Sequence, residues 1–218
     1  MKIIRLIISS ACVLMASLIA IPAHAGSSDF AGPYISVQAS TNGAELSGVY
    51  SDNDGSATEG TGGKVFPAAG ASIGFNIPLG HVFFLGIEGQ MDFGQAILSA
   101  SDDAFERGDV RVSARNRETW SITPGISVSD NSAIFIRLGE TDIDLTCTAG
   151  KTCPNSLSGD TMGIGTISKM GDSLYIKAEA GYTEFNQISI SNLGAGGNGS
   201  IAADPDMVYG NIQIGWQF

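Results

Sequence analysis

The sequence predicts an all-β protein, an eight-stranded antiparallel up-and-down transmembrane β-barrel. Three observations lead to this fold class. The last residues, Val208 to Phe218, alternate between apolar and small or polar side chains, which is the period of a β-strand with two different faces. Alternating segments of this kind recur along the chain, and the connections between them alternate between short turns and long polar loops.

The amino end predicts export from the cytoplasm. Lys2 and Arg5 precede an apolar run over 6–21, and Ala23, His24 and Ala25 place small residues at the cleavage positions of a secretory signal. The run is too short for a membrane-spanning helix, and no second run approaches that length. We therefore expect a cleaved signal peptide over 1–25 and a single barrel domain over 26–218.

The mature chain is acidic. It keeps all 22 acidic residues but only 9 of the 11 basic ones, a net charge of −13, which makes nucleic acid an improbable partner. Its two cysteines, Cys147 and Cys153, lie six positions apart, and an exported chain meets an oxidising compartment. A disulfide is favoured over a metal site, because two cysteines without a nearby histidine do not complete a tetrahedral zinc site.

The eight strands follow from alternation bounded by turn residues. Short turns are predicted at 76–80, 129–132 and 169–172, and long loops at 42–63, 96–113, 144–158 and 187–205. Short turns on one rim and long loops on the other are typical of bacterial outer-membrane barrels, with both termini on the periplasmic rim. The predicted strands cover 32–41, 64–77, 81–95, 114–128, 132–143, 159–169, 173–186 and 206–218.

The two faces of each strand decide between a membrane barrel and a soluble, lipocalin-like barrel. One face is apolar, whereas the other carries charges that cannot form a dry core. With the apolar faces toward lipid, the charged side chains fill a narrow lumen and are expected to form an ion-pair network. Pairing across the first tight turn places Gly70 opposite Glu88. The predicted network consists of Glu88, Asp92, Arg115, Arg117, Arg137, Lys177 and Glu179.

Aromatic side chains predict contact with the membrane interface. Tyr34, Trp120, Tyr182, Trp216 and Phe218 are interpreted as an interfacial belt rather than as ligand-stacking groups.

The segment 163–182 resembles the glycine-rich strand, tight turn and basic-x-acidic strand of small outer-membrane barrels such as OmpX, the OmpA membrane domain and Opa-like surface barrels. The opening segment 30–37 is similar to their first strand. The ending, with Ile214, Trp216 and Phe218, resembles the signal read by the barrel-assembly machinery. The resemblance implies barrel architecture and placement in the outer membrane of a Gram-negative bacterium, and leaves activity open.

Catalytic chemistry is not indicated. Enzymes among the barrels that this chain resembles use histidine with Ser, Asp or Glu near the outer rim. Here His81 is the only histidine of the mature chain, and it lies at a predicted periplasmic turn. Glu88 and Asp92 on one face are better explained by ion pairs than by acid–base work. We expect no catalytic residues, no metal site and no cofactor.

Three hypotheses of function remain. The first is a non-enzymatic outer-membrane protein with a structural or surface-recognition role, such as adhesion, carried by long extracellular loops. The second is a narrow porin or small-molecule conduit, and the third, less favoured, is a lipid-modifying barrel enzyme. The expected partners are outer-membrane lipid and lipopolysaccharide, the barrel-assembly machinery, and host or neighbouring-cell surface ligands.

Overall fold

The structure, a computed structural model, describes residues 26–51, 57–99, 111–147, 152–193 and 199–218. The predicted signal peptide lies outside these residues. A short 3₁₀ helix, Ser27–Phe30, precedes nine β-segments that form one antiparallel sheet. The segments are β1 Gly32–Ser51, β2 Ala57–Leu79, β3 Phe83–Ser99, β4 Arg111–Ser129, β5 Ser132–Cys147, β6 Ser156–Met170, β7 Leu174–Phe185, β8 Ile188–Leu193 and β9 Gly199–Gln217.

The sheet closes into a barrel of eight strands because β1 pairs with both β2 and β9. β7 and β8 both pair with β9 and together form one interrupted strand. Register partners followed from Gly43 through β9, β7, β6, β5, β4, β3 and β2 return to β1 at Pro33, a stagger of ten residues. With a rise of about 3.3 Å per residue and strands about 4.8 Å apart, this stagger tilts the strands by about 41°.

The exterior is the apolar surface that a lipid bilayer requires. Large apolar side chains are exposed around the part of the barrel nearer the short turns, including Val37, Ile73, Ile122 and Ile164. The alternate positions of the same strands face inward, and most of them are polar or small. This arrangement confirms the predicted orientation of the two faces. The described residues contain no helix that is long and apolar enough to cross a membrane.

The strands are longer than the sequence predicted. Many residues predicted to lie in long loops belong to strands. For example, β1 and β2 remain paired as far as Ser51 and Ala57. The pattern was misread because it inverts above the lipid band. On β5, Ile143 and Leu145 point inward while Asp142 and Asp144 are exposed, as in a water-soluble barrel. The wall therefore continues beyond the bilayer as a paired section with a polar exterior.

The predicted register between β2 and β3 was wrong. The structure pairs Gly74 with Glu88 and Gly70 with Asp92, a shift of four residues. The turn is responsible, because the chain stays extended through Leu79 and reverses only at Gly80, whose φ of 78° suits glycine. An even shift leaves every side chain on its predicted face.

Candidate functional site

The middle of the lumen is filled by a cluster of two acidic and two basic side chains: Glu88 on β3, Arg137 on β5, and Lys177 and Glu179 on β7. We call these four residues the central charge cluster. Arg137 donates from Nε to Glu179 Oε1 at 2.6 Å and from Nη2 to Glu88 Oε1 at 2.5 Å. Lys177 Nζ lies 2.5 Å from Glu88 Oε2. All four side chains are buried, so each charge depends on its partners rather than on water.

Two tyrosines and a serine complete the hydrogen bonding of this cluster. Tyr34 donates to Glu88 Oε2 at 2.6 Å, and Tyr209 donates to Glu179 Oε1 at 2.7 Å. Ser121 Oγ accepts a hydrogen bond from Arg137 Nη1 at 2.7 Å. Tyr34 was predicted to belong to the membrane belt, and this was wrong. It shares the inward parity of the even-numbered residues of β1 and is 5% exposed.

Glycines on adjacent strands make room for the tyrosines. A side chain on Gly74 would overlap the ring of Tyr34, and one on Gly181 would overlap Tyr209. Small residues beside large ones let an eight-stranded barrel fill its own interior. The sequence analysis missed the tyrosines as partners of the carboxylates, because the position of each ring in the lumen depends on strand register.

A second ion pair lies above the central charge cluster. Arg117 on β4 contacts Asp92 on β3 through Nη2, and its Nη1 donates to Asn42 Oδ1 at 2.7 Å. Gln38 also donates to Asp92. Among the described residues, the buried charged side chains are three carboxylates and three basic groups, so their formal charges balance.

Arg115, which was predicted to join the network, is exposed and lies outside it. A bulge in β4 separates it from Arg117, since the register with β5 shifts between Arg115 and Glu118. Asn116, at the bulge, has a φ of 50°, a left-handed value that asparagine tolerates better than most residues. One extra residue reverses the inside–outside alternation, which places Arg115 off the luminal side.

Four threonines form a row of hydroxyls across β4, β5, β6 and β7. The Oγ1 atoms are 2.8, 2.6 and 2.8 Å apart in succession, and all four side chains are buried. Thr119 and Thr141 are direct register partners, as are Thr161 and Thr183, whereas Thr141 pairs with Gly159 and meets Thr161 diagonally. The row therefore joins four neighbouring strands at one level of the lumen. It consists of Thr119, Thr141, Thr161 and Thr183.

Apolar layers cover both ends of the polar interior. At the short-turn end, Phe30 of the 3₁₀ helix packs with Phe84, Ala133 and Phe135. Lys169 Nζ holds the helix by donating to the Asp29 carbonyl at 2.6 Å. At the other end is a larger apolar core formed by Leu46, Val112, Ile143, Leu145, Leu157, Phe185, Ile188, Ile190, Ile201, Ala203 and Met207.

Strand β5 crosses all of these layers. Its inward residues run from Phe135 to Arg137, Thr141, Ile143 and Leu145. Cavities of about 10 and 30 Å³ lie among the luminal side chains, and neither is large enough to form a channel. The described lumen is thus a packed interior with a charged middle.

The remaining predicted residues lie on the surface or at the loop end. Cys147 and Cys153 form a disulfide with their Cα atoms 6.3 Å apart, which confirms the predicted bridge. Trp216 and Phe218 are exposed on the lipid side, as is Ile214 of the proposed assembly signal. His81 is exposed at the short-turn end. Among the described residues, no group of three or more His, Cys, Asp or Glu could hold a metal ion.

Comparison with known proteins places the fold and leaves the activity open. No protein-family model and no curated protein matches the chain by sequence. The outer membrane protein OprG from Pseudomonas aeruginosa superposes with a TM-score of 0.57 at 12% identity, covering 86% of this chain and 96% of OprG.

Two further solved structures are similar at lower scores. Ail, the attachment invasion locus protein of Yersinia pestis, gives a TM-score of 0.46 at 11% identity and covers 84% of this chain and 99% of Ail. The outer membrane protease OmpT from Escherichia coli gives 0.47 at 8% identity, covering 86% and 97%.

The fold, the lipid-facing exterior and the OprG likeness define the class of this protein. It is a small, closed, eight-stranded β-barrel of the outer-membrane type.

Proposed function

We propose that this protein is a non-enzymatic barrel, exported to the outer membrane, that works through its extramembrane section by recognising ligands on a host or neighbouring cell. The observation that carries the proposal is the combination of a filled lumen with a wall that continues past the lipid band. The lumen contributes stability, and the paired extension of β1, β2 and β9 presents a hydrogen-bonded surface outside the bilayer.

The chemistry of that surface favours a basic partner. Exposed carboxylates cover the outward positions of the strands above the apolar band, including Glu59, Asp142, Asp144 and Asp204. A ligand of opposite charge is attracted to such a surface, and the attraction is screened by salt. We therefore expect basic proteins or basic patches to be bound rather than polyanions.

Cell adherence tests this role. Residues 49–59 connect Gly48 of β1 to its register partner Gly60 of β2, and replacing them by Asn-Gly joins these two residues with a two-residue turn. Bacteria that display the full chain should adhere to a surface coated with a basic protein, and the shortened hairpin should reduce adherence. Equal display is checked by the gel mobility of unheated and heated samples.

Two results would contradict the proposal. One is adherence that does not differ between cells displaying the full chain and cells carrying an empty vector. The other is a steady open-channel conductance in planar bilayers, which would favour the porin hypothesis. The layered lumen supports the expectation of no such conductance.

An enzymatic role has less support. The only histidine of the described residues, His81, lies at the short-turn end, away from the extramembrane section. We expect His81→Ala to leave adherence unchanged.

A further inference from the structure

The barrel wall parts between β2 and β3. The last register pair of these strands is Ala69 with Phe93. Beyond it, the remainder of β2 pairs with β1 and the remainder of β3 pairs with β4, and no pairing between the described residues joins β2 to β3. Pro67 has no amide hydrogen to continue the ladder, and β3 bulges between Asp92 and Gln95.

A cavity of about 30 Å³ lies at the foot of this parting. The cavity is lined by small residues of three neighbouring strands and by the aromatic ring of Phe66. The small residues are Ala68, Gly94 and Ala114. Met207 connects the cavity to the apolar core of the loop end. The site is thus an apolar recess that reaches from the parted wall toward the lumen.

A cation with an unused donor lines this recess. Arg117 is only 8% exposed; its Nη1 and Nη2 are engaged by Asn42 and Asp92, but its Nε has no hydrogen-bond partner in the part of the chain that the structure describes. Buried donors are normally satisfied, so an unused one beside a cavity indicates a missing acceptor. Arg115 lines the same cavity and adds a second positive charge, whereas Asp92 is already paired with Arg117 and Gln38.

The exterior next to the recess differs from the rest of the barrel. On each of the other six strands an outward-facing acidic residue lies at the top of the apolar band. On five of these strands, each acidic residue is the register partner of the acidic residue on the next strand. On β2 and β3 the outward positions at the parting are Val65 and Phe93, which are 70% and 58% exposed. The lipid-facing surface therefore continues to the mouth of the recess. The acidic positions are Glu45, Asp206, Glu184, Asp160, Glu140 and Glu118.

We propose that this recess binds the carboxylate end of a long-chain monocarboxylic acid that enters from the outer leaflet. The carboxylate accepts a hydrogen bond from Arg117 Nε and is attracted by Arg115. The cavity accommodates the head group, and the chain lies along Phe66, Val65 and Phe93. This binding site is independent of the surface-recognition role, since it lies at the membrane edge and uses none of residues 49–59.

Fluorescence of 11-(dansylamino)undecanoic acid with the full chain in lipid nanodiscs tests the site. Ala114→Leu fills the recess without changing charge, and Ala178→Leu is the matched control because Ala178 is exposed on the lipid side. Ala114→Leu should weaken binding about tenfold or more, and Ala178→Leu should leave it within twofold. Arg117→Gln should weaken binding similarly, provided that its gel mobility shows a folded barrel.

Two controls separate binding at the site from partition of the probe into lipid: the methyl ester of the probe, and nanodiscs without protein. The proposal is supported if the acid binds saturably and the methyl ester does not compete with it. Equal signals from Ala114→Leu and Ala178→Leu would overturn it, because the recess would then make no contribution. Equal affinity for acid and ester would overturn the role of the arginine.

Discussion

Replacing Arg137 by methionine should destabilise the barrel strongly. Arg137 is 1% exposed and contacts both carboxylates of the central charge cluster, Glu88 and Glu179, as well as Ser121. Methionine fills similar space but removes every donor. Glu88 keeps Lys177 and Tyr34, whereas Glu179 keeps only the hydroxyl of Tyr209 among its partners in the structure.

The expected loss is about 3–5 kcal/mol in the free energy of unfolding, the usual cost of removing one partner from a buried ion pair. Arg115→Met is the matched control, since the same chemical change at an exposed side chain on β4 should cost within about 0.5 kcal/mol. Adding Glu179→Gln to Arg137→Met should recover part of the loss, because it removes the unpaired charge.

Equilibrium unfolding in urea, with the barrel in lipid vesicles, measures these differences. Trp120 and Trp216 are exposed to lipid and report the loss of the barrel through their fluorescence. If Arg137→Met cost no more than Arg115→Met, the cluster would not contribute to stability and the description of the lumen as a balanced core would be wrong. Absence of recovery in the double variant would assign the loss to packing rather than to charge.

Three further predictions concern packing, closure and the disulfide. Gly74→Val should destabilise the barrel by about 1–3 kcal/mol in urea unfolding because its side chain meets the Tyr34 ring, whereas Gly63→Ala should not, since its Cβ would meet only the Ala44 carbonyl oxygen at an ordinary contact distance of 3.4 Å; equal losses would contradict the packing role. Phe30→Ser should leave planar bilayers non-conducting, since the charged and upper apolar layers remain, and a new conductance would show that the 3₁₀ helix alone closes the lumen. Reducing the Cys147–Cys153 bridge should leave gel mobility of the unheated barrel unchanged, because the bridge lies at the loop end.

Much of the barrel could be predicted from the sequence, because alternation in a strand assigns each side chain to a face. That rule placed Glu88 and Arg137 inside and Trp216 outside. An error of register by four residues between β2 and β3 left these faces unchanged. The strand ends were predicted poorly, because above the bilayer the wall exchanges its polar and apolar faces and the segments read as loops.

The composition of the charged lumen could be predicted, but its connections could not. Partners such as Tyr34 with Glu88 lie on β1 and β3, and closing the barrel decides which side chains meet across it. Arg115 and Arg117 have the same parity in the sequence, and only the bulge at Asn116 separates their surroundings.

The sequence by itself determined the fold class, the lipid-facing side and the identity of the charges that had to be buried, since these depend on local periodicity and on the cost of exposing charge to hydrocarbon. Tertiary structure alone decided the ion pairs, the apolar layers that close the lumen, and the parting of β2 from β3. Each of these depends on stagger and bulges, which bring together residues that are distant in the chain.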